Sequence, residues 1–478
     1  MNTRMIAYSV GRIFQIQSLL FLLPLIVSLY YGEVSVWVWV LCSGITFLAG
    51  KLMSLREPEK TDLYSKDGLL IVSLVWVSLA LTCALPYLLT GTIPSFPNAF
   101  FESVSGLSTT GTSVIANVEG LPPSILFWRS FTQFMGGMGI LVFALAIMPK
   151  VNKRSFQLMR AEVPGPVVGK LVSRIGDTAK ILYLIYIALF LCQVVFLVAG
   201  GMSFFESLLI SMGSAGTGGF AIRNANIAHY GSTYVEMVIA VFTMLFGINF
   251  QLYFLLLLRK FRVVFRNEEM RLYFGIIFVA TIAIASSTLH LSHDAVISYR
   301  DAFFHVTSFI TSTGYATVDF NQWTLYARMI LMVLMLTGAC AGSTAAGIKL
   351  VRFVIMGKGA RYELKRFIHP NRVVPLQLDG KKLPDTVIRG VGAYLFVYVL
   401  VFFTCMLVLA SRELNLLQAF TATLSALNNI GIEIIGGQIQ YVSLSVLSKM
   451  FLCLIMIMGR LEIFPVLILL LPSTWQER

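Results

Sequence analysis

Ten apolar segments, each long enough to cross a bilayer, leave this chain few folds to choose from. They fall at roughly 12–31, 35–54, 68–91, 124–149, 178–200, 231–258, 272–290, 324–356, 386–410 and 443–472. In hydrocarbon every backbone amide and carbonyl must find a partner inside the protein, so a spanning chain forms helices or a closed barrel. Long unbroken apolar runs mean helices; barrel strands would be ~10 residues of alternating polarity. Composition agrees: 57% of the 478 residues are hydrophobic and 12% charged, about half the ~25% usual in soluble domains.

The start of the chain, Arg4 and Arg12 before "QSLLFLLPLIVSLYY", imitates a secretion signal. No small-x-small cleavage site follows and a second apolar run opens near Ser35, so the segment reads as a retained transmembrane hairpin. The six cysteines stand singly in apolar segments with no C-x-x-C pair, which reads as buried small hydrophobes.

Basic residues set the expected orientation. Segments 1–12, 51–66, 150–180, 259–271, 349–389 and the C-terminus hold 29 of the 36 Lys and Arg. By the positive-inside rule these connectors and both termini are cytoplasmic. The net charge of +13 is therefore a topology signal, split among short connectors and not gathered into a nucleic-acid surface.

The opposite connectors are short and lightly charged. They read "NAFFESVSGLSTTGTS" (98–113), "ESLLISMGSAGTGGF" (206–220), "DAFFHVTSFITSTGYA" (301–316) and "QAFTATLSALNNIGIE" (418–433). Ala99-Phe100, Ala302-Phe303 and Ala419-Phe420 stand twelve and eleven residues before Gly111, Gly314 and Gly431; Ser207-Leu208 precede Gly218 with one residue fewer. Four copies of span, short helix, glycine turn and span make an internal repeat. The expected organisation is an N-terminal hairpin and connector (1–66) and four pore repeats at 67–149, 150–258, 259–356 and 357–478, the third with a broken second helix. The expected fold is thus an all-α membrane protein, four tandem span–pore helix–span repeats around a pseudo-fourfold pore.

A loop that enters the membrane and returns must be buried in protein or line water. Successive carbonyl oxygens lining a common axis replace the hydration shell of a monovalent cation, and glycine supplies the unusual φ this needs. The short helices aim their C-terminal dipole ends at the axis, favouring positive charge. Thr109, Thr110, Thr217, Ser312, Thr313, Asn428 and Asn429 add hydroxyl and amide support.

Rival motifs are weak. "GSTAAGIK" (342–349) resembles a phosphate loop, but its lysine is one place late, no Ser/Thr follows, and an apolar helix precedes it. "HLSHD" (290–294) has metal-like spacing but reads as a solvated loop. No H-E-x-x-H, no G-x-S-x-G and no intramembrane aspartate pair is present, so no enzyme is expected. Segment 324–356 is too long for one crossing and carries "TGACAGSTAAGIK" (337–349), which predicts an interrupted helix beside a cavity; "GGMG" (136–139) reads as close packing. Arg460, near the middle of the last span, is expected to face the pore as an electrostatic barrier, with Glu462 on the other side of the helix.

The four span–loop–span repeats, "STTGTSV", "AGTGGF", "TSTGY", "LNNIG", "GACAGSTAAGIKLVR" and "MGRLEIFP" resemble the Trk/Ktr/HKT superfamily of potassium transporters over roughly 68–472. The extra hairpin makes the chain most similar to the membrane subunit of the bacterial Trk system. The resemblance implies a potassium-uptake subunit of the bacterial inner (plasma) membrane with a K⁺-selective filter. Its filter residues would be Thr109, Thr110, Gly111, Thr217, Gly218, Ser312, Thr313, Gly314, Asn429, Ile430 and Gly431, with K⁺ held at Thr110, Gly111, Thr217, Gly218, Thr313, Gly314, Ile430 and Gly431. It also implies an intramembrane gate below the filter at 338–347, with Gly338, Gly342, Ser343, Thr344, Gly347 and Lys349, and Arg460 as the pore-side arginine. "STAAG" stands where the family usually has more glycines. A homodimer, a cytosolic ring of nucleotide-binding (TrkA-like) regulatory subunits and contact with membrane lipid are implied as partners. No bound cofactor is implied; K⁺ is the transported ligand. Channel-like flux and symport with H⁺ or Na⁺ are both compatible with such a pore. The other reading is the K⁺-binding subunit of an ATP-driven pump, against which Arg460 and the "GSTAAGIK" break argue. Ten of the Lys and Arg lie in 349–389, which makes that connector the expected dock for a soluble regulator.

Overall fold

A computed structural model describes residues 3–56, 65–139, 175–369, 375–434, 437 and 439–475. Helix Thr3–Leu20 continues beyond Phe21 as Leu22–Tyr30 and folds back on Val36–Met53. The two arms cross at Gly11 and Gly50, where a Cβ on either would run into the other's carbonyl oxygen. Close approach at small residues is how helices associate in lipid, where burial of apolar surface gives no drive.

Four times thereafter a long apolar helix leads into a short buried one, a loop and a second helix. The long helices run through Gly68–Leu89, Ala179–Ala199, Glu268–Leu291 and Asp385–Ala410. The short ones are Phe96–Leu107, Phe204–Gly216, Ala295–Ile310 and Leu416–Leu427. Their starts are written locally: Pro97 in the first turn, Ser203 accepting from the Glu206 amide, Asp294 from Val296, and a reciprocal Asn415–Gln418 pair. Their last two turns carry Ser103, Ser105, Ser211, Ser214, Thr307, Ser308, Thr423 and Ser425, all buried. Helices this polar and this buried sit against protein, as the no-lipid argument requires.

The second helices are broken more often than the apolar segments predict. Six described helices are long and apolar enough to cross a membrane, or seven if Thr233–Phe246 and Phe250–Leu257, bent by 90°, count as one. Leu325–Thr337 stops at Gly338 and resumes at Leu350, as expected, but Val446–Arg460 also breaks before Phe464–Leu470. The extra breaks have local causes. Asn249 takes the Gln251 amide and so restarts a helix, while Glu462 and Ile463 adopt φ of 58° and 66° ahead of Pro465. In the first repeat the helix Pro123–Gly137 is described; the rest of that expected span, 140–149, and most of the 150–177 connector lie outside the described residues.

Candidate functional site

The four loops after the short helices are built alike. Each helix closes with a left-handed residue, Thr109, Thr217, Ser312 or Asn429, at φ between 52° and 58°. The next amide turns back five residues: Thr110 N to Ser105 O at 2.9 Å, Gly218 N to Gly213 O at 2.9 Å, Thr313 N to Ser308 O at 2.8 Å and Ile430 N to Ser425 O at 3.0 Å. This is the Schellman closure, here with a side chain where glycine is usual.

Two residues beyond each left-handed residue stands a glycine with positive φ: Gly111 (86°), Gly219 (68°), Gly314 (76°) and Gly431 (78°). A Cβ on Gly111 would strike the carbonyl oxygen of Gly218, one on Gly219 that of Thr313, one on Gly314 that of Ile430, and one on Gly431 that of Thr110. The chain of contacts closes on itself. Each loop's glycine receives the carbonyl that precedes the glycine of the next loop, so the four loops form a ring of backbone around one axis.

The ring corrects one expected residue. The second repeat's counterpart of Gly111, Gly314 and Gly431 is Gly219, and Gly218 takes the place of Thr110, Thr313 and Ile430. With Gly219 the spacing from Ser207-Leu208 is twelve and eleven residues, as in the other copies. Gln133, absent from the expected set, holds this loop: its Nε2 donates to Gly218 O at 2.7 Å and its Oε1 accepts from the Phe220 amide at 3.0 Å. Asn428 turns away to Tyr398 and the Leu424 carbonyl.

Beneath the ring lies the interrupted segment of the third repeat. Gly338, Gly342 and Gly347 have φ of 62°, 71° and 79°. The side chains of the left-handed residues reach down to it. Thr217 Oγ1 donates to Thr344 O at 3.1 Å, and Ser312 Oγ accepts from the Ala346 amide at 2.8 Å. Ser343 closes on Cys340 O, and buried Lys349 donates to Ala345 O. The segment is fastened elsewhere too. Cys340 N donates to Gly247 O and Gly342 O accepts from Phe250 N, both across the bend of the second repeat. Glu269, unforeseen as a functional residue, takes the Ala341 amide at 2.7 Å and the Val351 amide at 2.9 Å on one carboxylate oxygen.

Arg460 joins both layers. Its guanidinium donates to Thr109 Oγ1 (3.1 Å), Thr344 O (2.9 Å), Gly136 O (2.5 Å) and Gly137 O (2.6 Å). The expected barrier residue is therefore a clamp under the ring as well as a positive charge there. Glu462 is engaged by Arg352, which also stacks over Tyr394 at 3.7 Å. "GGMG" is close packing as read: a Cβ on Gly136 would meet Leu107 O, and one on Gly137 the Gly216 backbone. His290, His293 and Asp294 form a helix end and the next cap, and no metal-ligating group of three occurs among the described residues.

Two polar connections brace the first two loops from behind. Buried Glu102 accepts from Arg129 Nε at 2.9 Å, Ser113 Oγ at 2.9 Å and the Val114 amide at 3.0 Å. Arg129 also reaches Ala221 O at 3.3 Å and lies over the Phe220 ring at 4.2 Å. "FFES" and "FWRS", a charge inside each of two apolar runs, were the available signals.

Comparison with known proteins agrees with this architecture. The family model described as TrkH, cation transport protein, matches residues 41–477. The chain is 33% identical to the Trk system potassium uptake protein TrkH of Escherichia coli K12, covering 100% of both chains, and 30% identical to TrkG of the same organism, again covering 100% of both. The crystal structure of the potassium transporter TrkH from Vibrio parahaemolyticus matches with a TM-score of 0.89 at 31% identity, covering 100% of both chains.

Proposed function

Because the chain belongs to the TrkH family of cation transport proteins, we propose that it is a potassium-uptake subunit of the inner membrane whose filter is the four-loop ring. The observation that carries this reading is the closed cycle of glycine-to-carbonyl contacts, Gly111–Gly218, Gly219–Thr313, Gly314–Ile430 and Gly431–Thr110. Carbonyls so arranged substitute for the water around a monovalent cation. The second residues of the four loops, Thr110, Gly218, Thr313 and Ile430, with the ring glycines, are the proposed K⁺ ligands. The test is ⁸⁶Rb⁺ flux into vesicles holding the purified protein: K⁺ competes strongly and Na⁺ weakly. Equal competition by the two ions would remove the filter reading.

The segment 338–349 is the proposed gate. It lies against the inner end of the ring, so it blocks the path without coordinating the ion at the selective step. Glu269 fastens both ends of it, and Glu269→Ala frees the Ala341 and Val351 amides, each such lost bond to a charged group costing about 1.5–3 kcal/mol. Basal flux in the absence of any partner is expected to rise several-fold in that variant, with K⁺/Na⁺ preference kept. Wild-type leak in a folded Glu269→Ala protein would move the gate elsewhere. Deleting three residues within 338–347 is expected to raise the leak further.

A regulator supplies the control that a continuously open K⁺ path would lack. The basic helix Leu350–Ile368 continues from the gate and with Pro375–Gln377 forms a groove of about 380 Å³ lined by Lys358, Arg361, Lys365 and Arg366. We take this as the dock of a cytosolic nucleotide-binding ring, on a homodimer whose termini are both cytoplasmic. Neutralising Arg361, Lys365 and Arg366 together is expected to reduce retention of the native partner in a pull-down at least ~10-fold, through loss of the charged contacts. Equal retention would put the dock on another basic connector.

A further inference from the structure

Above the ring, on the face opposite the basic connectors, lies a cavity of about 570 Å³. All four loops contribute to it, through Thr112 and Ser113, Asn224–Asn226, Ala316–Asn321, and Gly431–Glu433. Two charged side chains line it, Glu433 and Asp319, and no Lys or Arg does among the described residues. The cations nearby are spent on other partners: Arg129 on Glu102, Arg223 on Glu206 at 2.6 Å, and Lys449 on Asn98 and the Val442 carbonyl, both at 2.7 Å. Asp319 is turned to its own helix start, accepting from Asn321 N at 3.1 Å and Nδ2 at 2.9 Å.

Glu433 differs from all of these. It stands two residues outside the ring glycine Gly431, between Ile432 and the buried Ile434, and makes no ion pair among the described residues. Its carboxylate accepts from the hydroxyl of Tyr441, which is also hydrogen-bonded to Thr112 of the first loop and packed against Phe101. The tyrosine therefore fixes the carboxylate between the first and fourth loops. A carboxylate set among isoleucines without a cationic partner is costly, and a glutamine would serve the tyrosine as well. The arrangement is explained if its counter-ion is the passing cation.

We propose that Glu433 is the residue that sets how readily the ion path fills from this face, holding a monovalent cation at the mouth of the ring before it is stripped of water. This rests on the reading of the loops as the ion path. A cation beside the carboxylate favours its ionised form. An anionic mouth concentrates counter-ions and does so less as salt screens it, the Debye length falling from ~30 Å at 0.01 M to ~8 Å at 0.15 M.

The experiment is ⁸⁶Rb⁺ uptake by vesicles holding the full-length protein, at low and high concentrations of an impermeant salt. Glu433→Gln is expected to raise half-saturating Rb⁺ about threefold to tenfold at low salt and much less at high salt; Glu433→Asp restores most of the wild-type value, and Tyr441→Phe, which frees the carboxylate to swing, falls between. An unchanged half-saturation in Glu433→Gln at low salt overturns the proposal, and so does a change of equal size at both salts, which marks a steric effect. Ring variants separate the two readings. If Gly219→Ala loses K⁺ preference while Glu433→Gln behaves as wild type, this inference fails and the filter stands; if Gly219→Ala keeps full preference, the filter reading fails with it.

Discussion

Gly219→Ala is expected to lower the preference for K⁺ over Na⁺ at least ~10-fold, and more than Gly218→Ala does. Two costs coincide at Gly219. A side chain at φ 68° costs about 1–2 kcal/mol, and its Cβ would come within clashing distance of the Thr313 carbonyl oxygen, which is backbone and cannot swing aside. Relief therefore displaces one of the four carbonyls proposed to replace the ion's water, and 1.4 kcal/mol of lost discrimination is already about tenfold. At Gly218 the added carbon would meet the Gln133 side chain, and φ is not positive. Competitive uptake of Rb⁺ against K⁺ and Na⁺ in the two variants decides the order. Gly218→Ala as the more damaging change would restore Gly218 as the ring glycine.

The second large effect is on stability. Arg129→Leu leaves Glu102, fully buried, without its cation, and breaking one partner of a buried pair costs about 3–5 kcal/mol. The same substitution removes the hold on Ala221 O and the Phe220 ring, so the first and second loops lose their common brace. A marked drop in the detergent-solubilised melting temperature is expected, with loss of K⁺-dependent stabilisation. The double variant Glu102→Gln, Arg129→Leu removes the orphaned charge and should recover most of the loss, since the glutamine still accepts from Ser113 and Val114. A double variant no more stable than Arg129→Leu would mean that the bridge to the second loop, not the charge balance, is what matters.

Much of this arrangement is legible in the amino-acid order, and the exceptions have physical reasons. The short helices, their loops and three of the four ring glycines follow from apolar length and from a spacing repeated four times. Gly218 and Gly219 are adjacent, so composition cannot choose between them. The choice is made by the left-handed residue two places earlier, Thr217, which corresponds to Thr109, Ser312 and Asn429. The unexpected breaks at Gly247–Asn249 and Leu461–Ile463 sit inside continuous apolar runs, where hydrophobicity hides a cap such as Asn249. Arg460 was readable as a costly charge, but its acceptors are mostly backbone carbonyls, which leave no mark in a sequence. Glu269 was hidden for the opposite reason: among the charges of a basic connector it looks like one more surface residue, and only the tertiary fold brings it under Ala341 and Val351.

The ring is assembled from four dissimilar strings, Thr-Thr-Gly, Thr-Gly-Gly, Ser-Thr-Gly and Asn-Ile-Gly, carried on a single polypeptide. In a filter of identical subunits any substitution is imposed four times over. Here each quadrant can be altered alone. A graded series, one, two, then three serines, becomes accessible, and selectivity can drift by small steps. The same independence lets one quadrant hold an amide, Asn429, where the others hold the hydroxyls of Thr109, Thr217 and Ser312, so each loop is fastened to its surroundings by different chemistry.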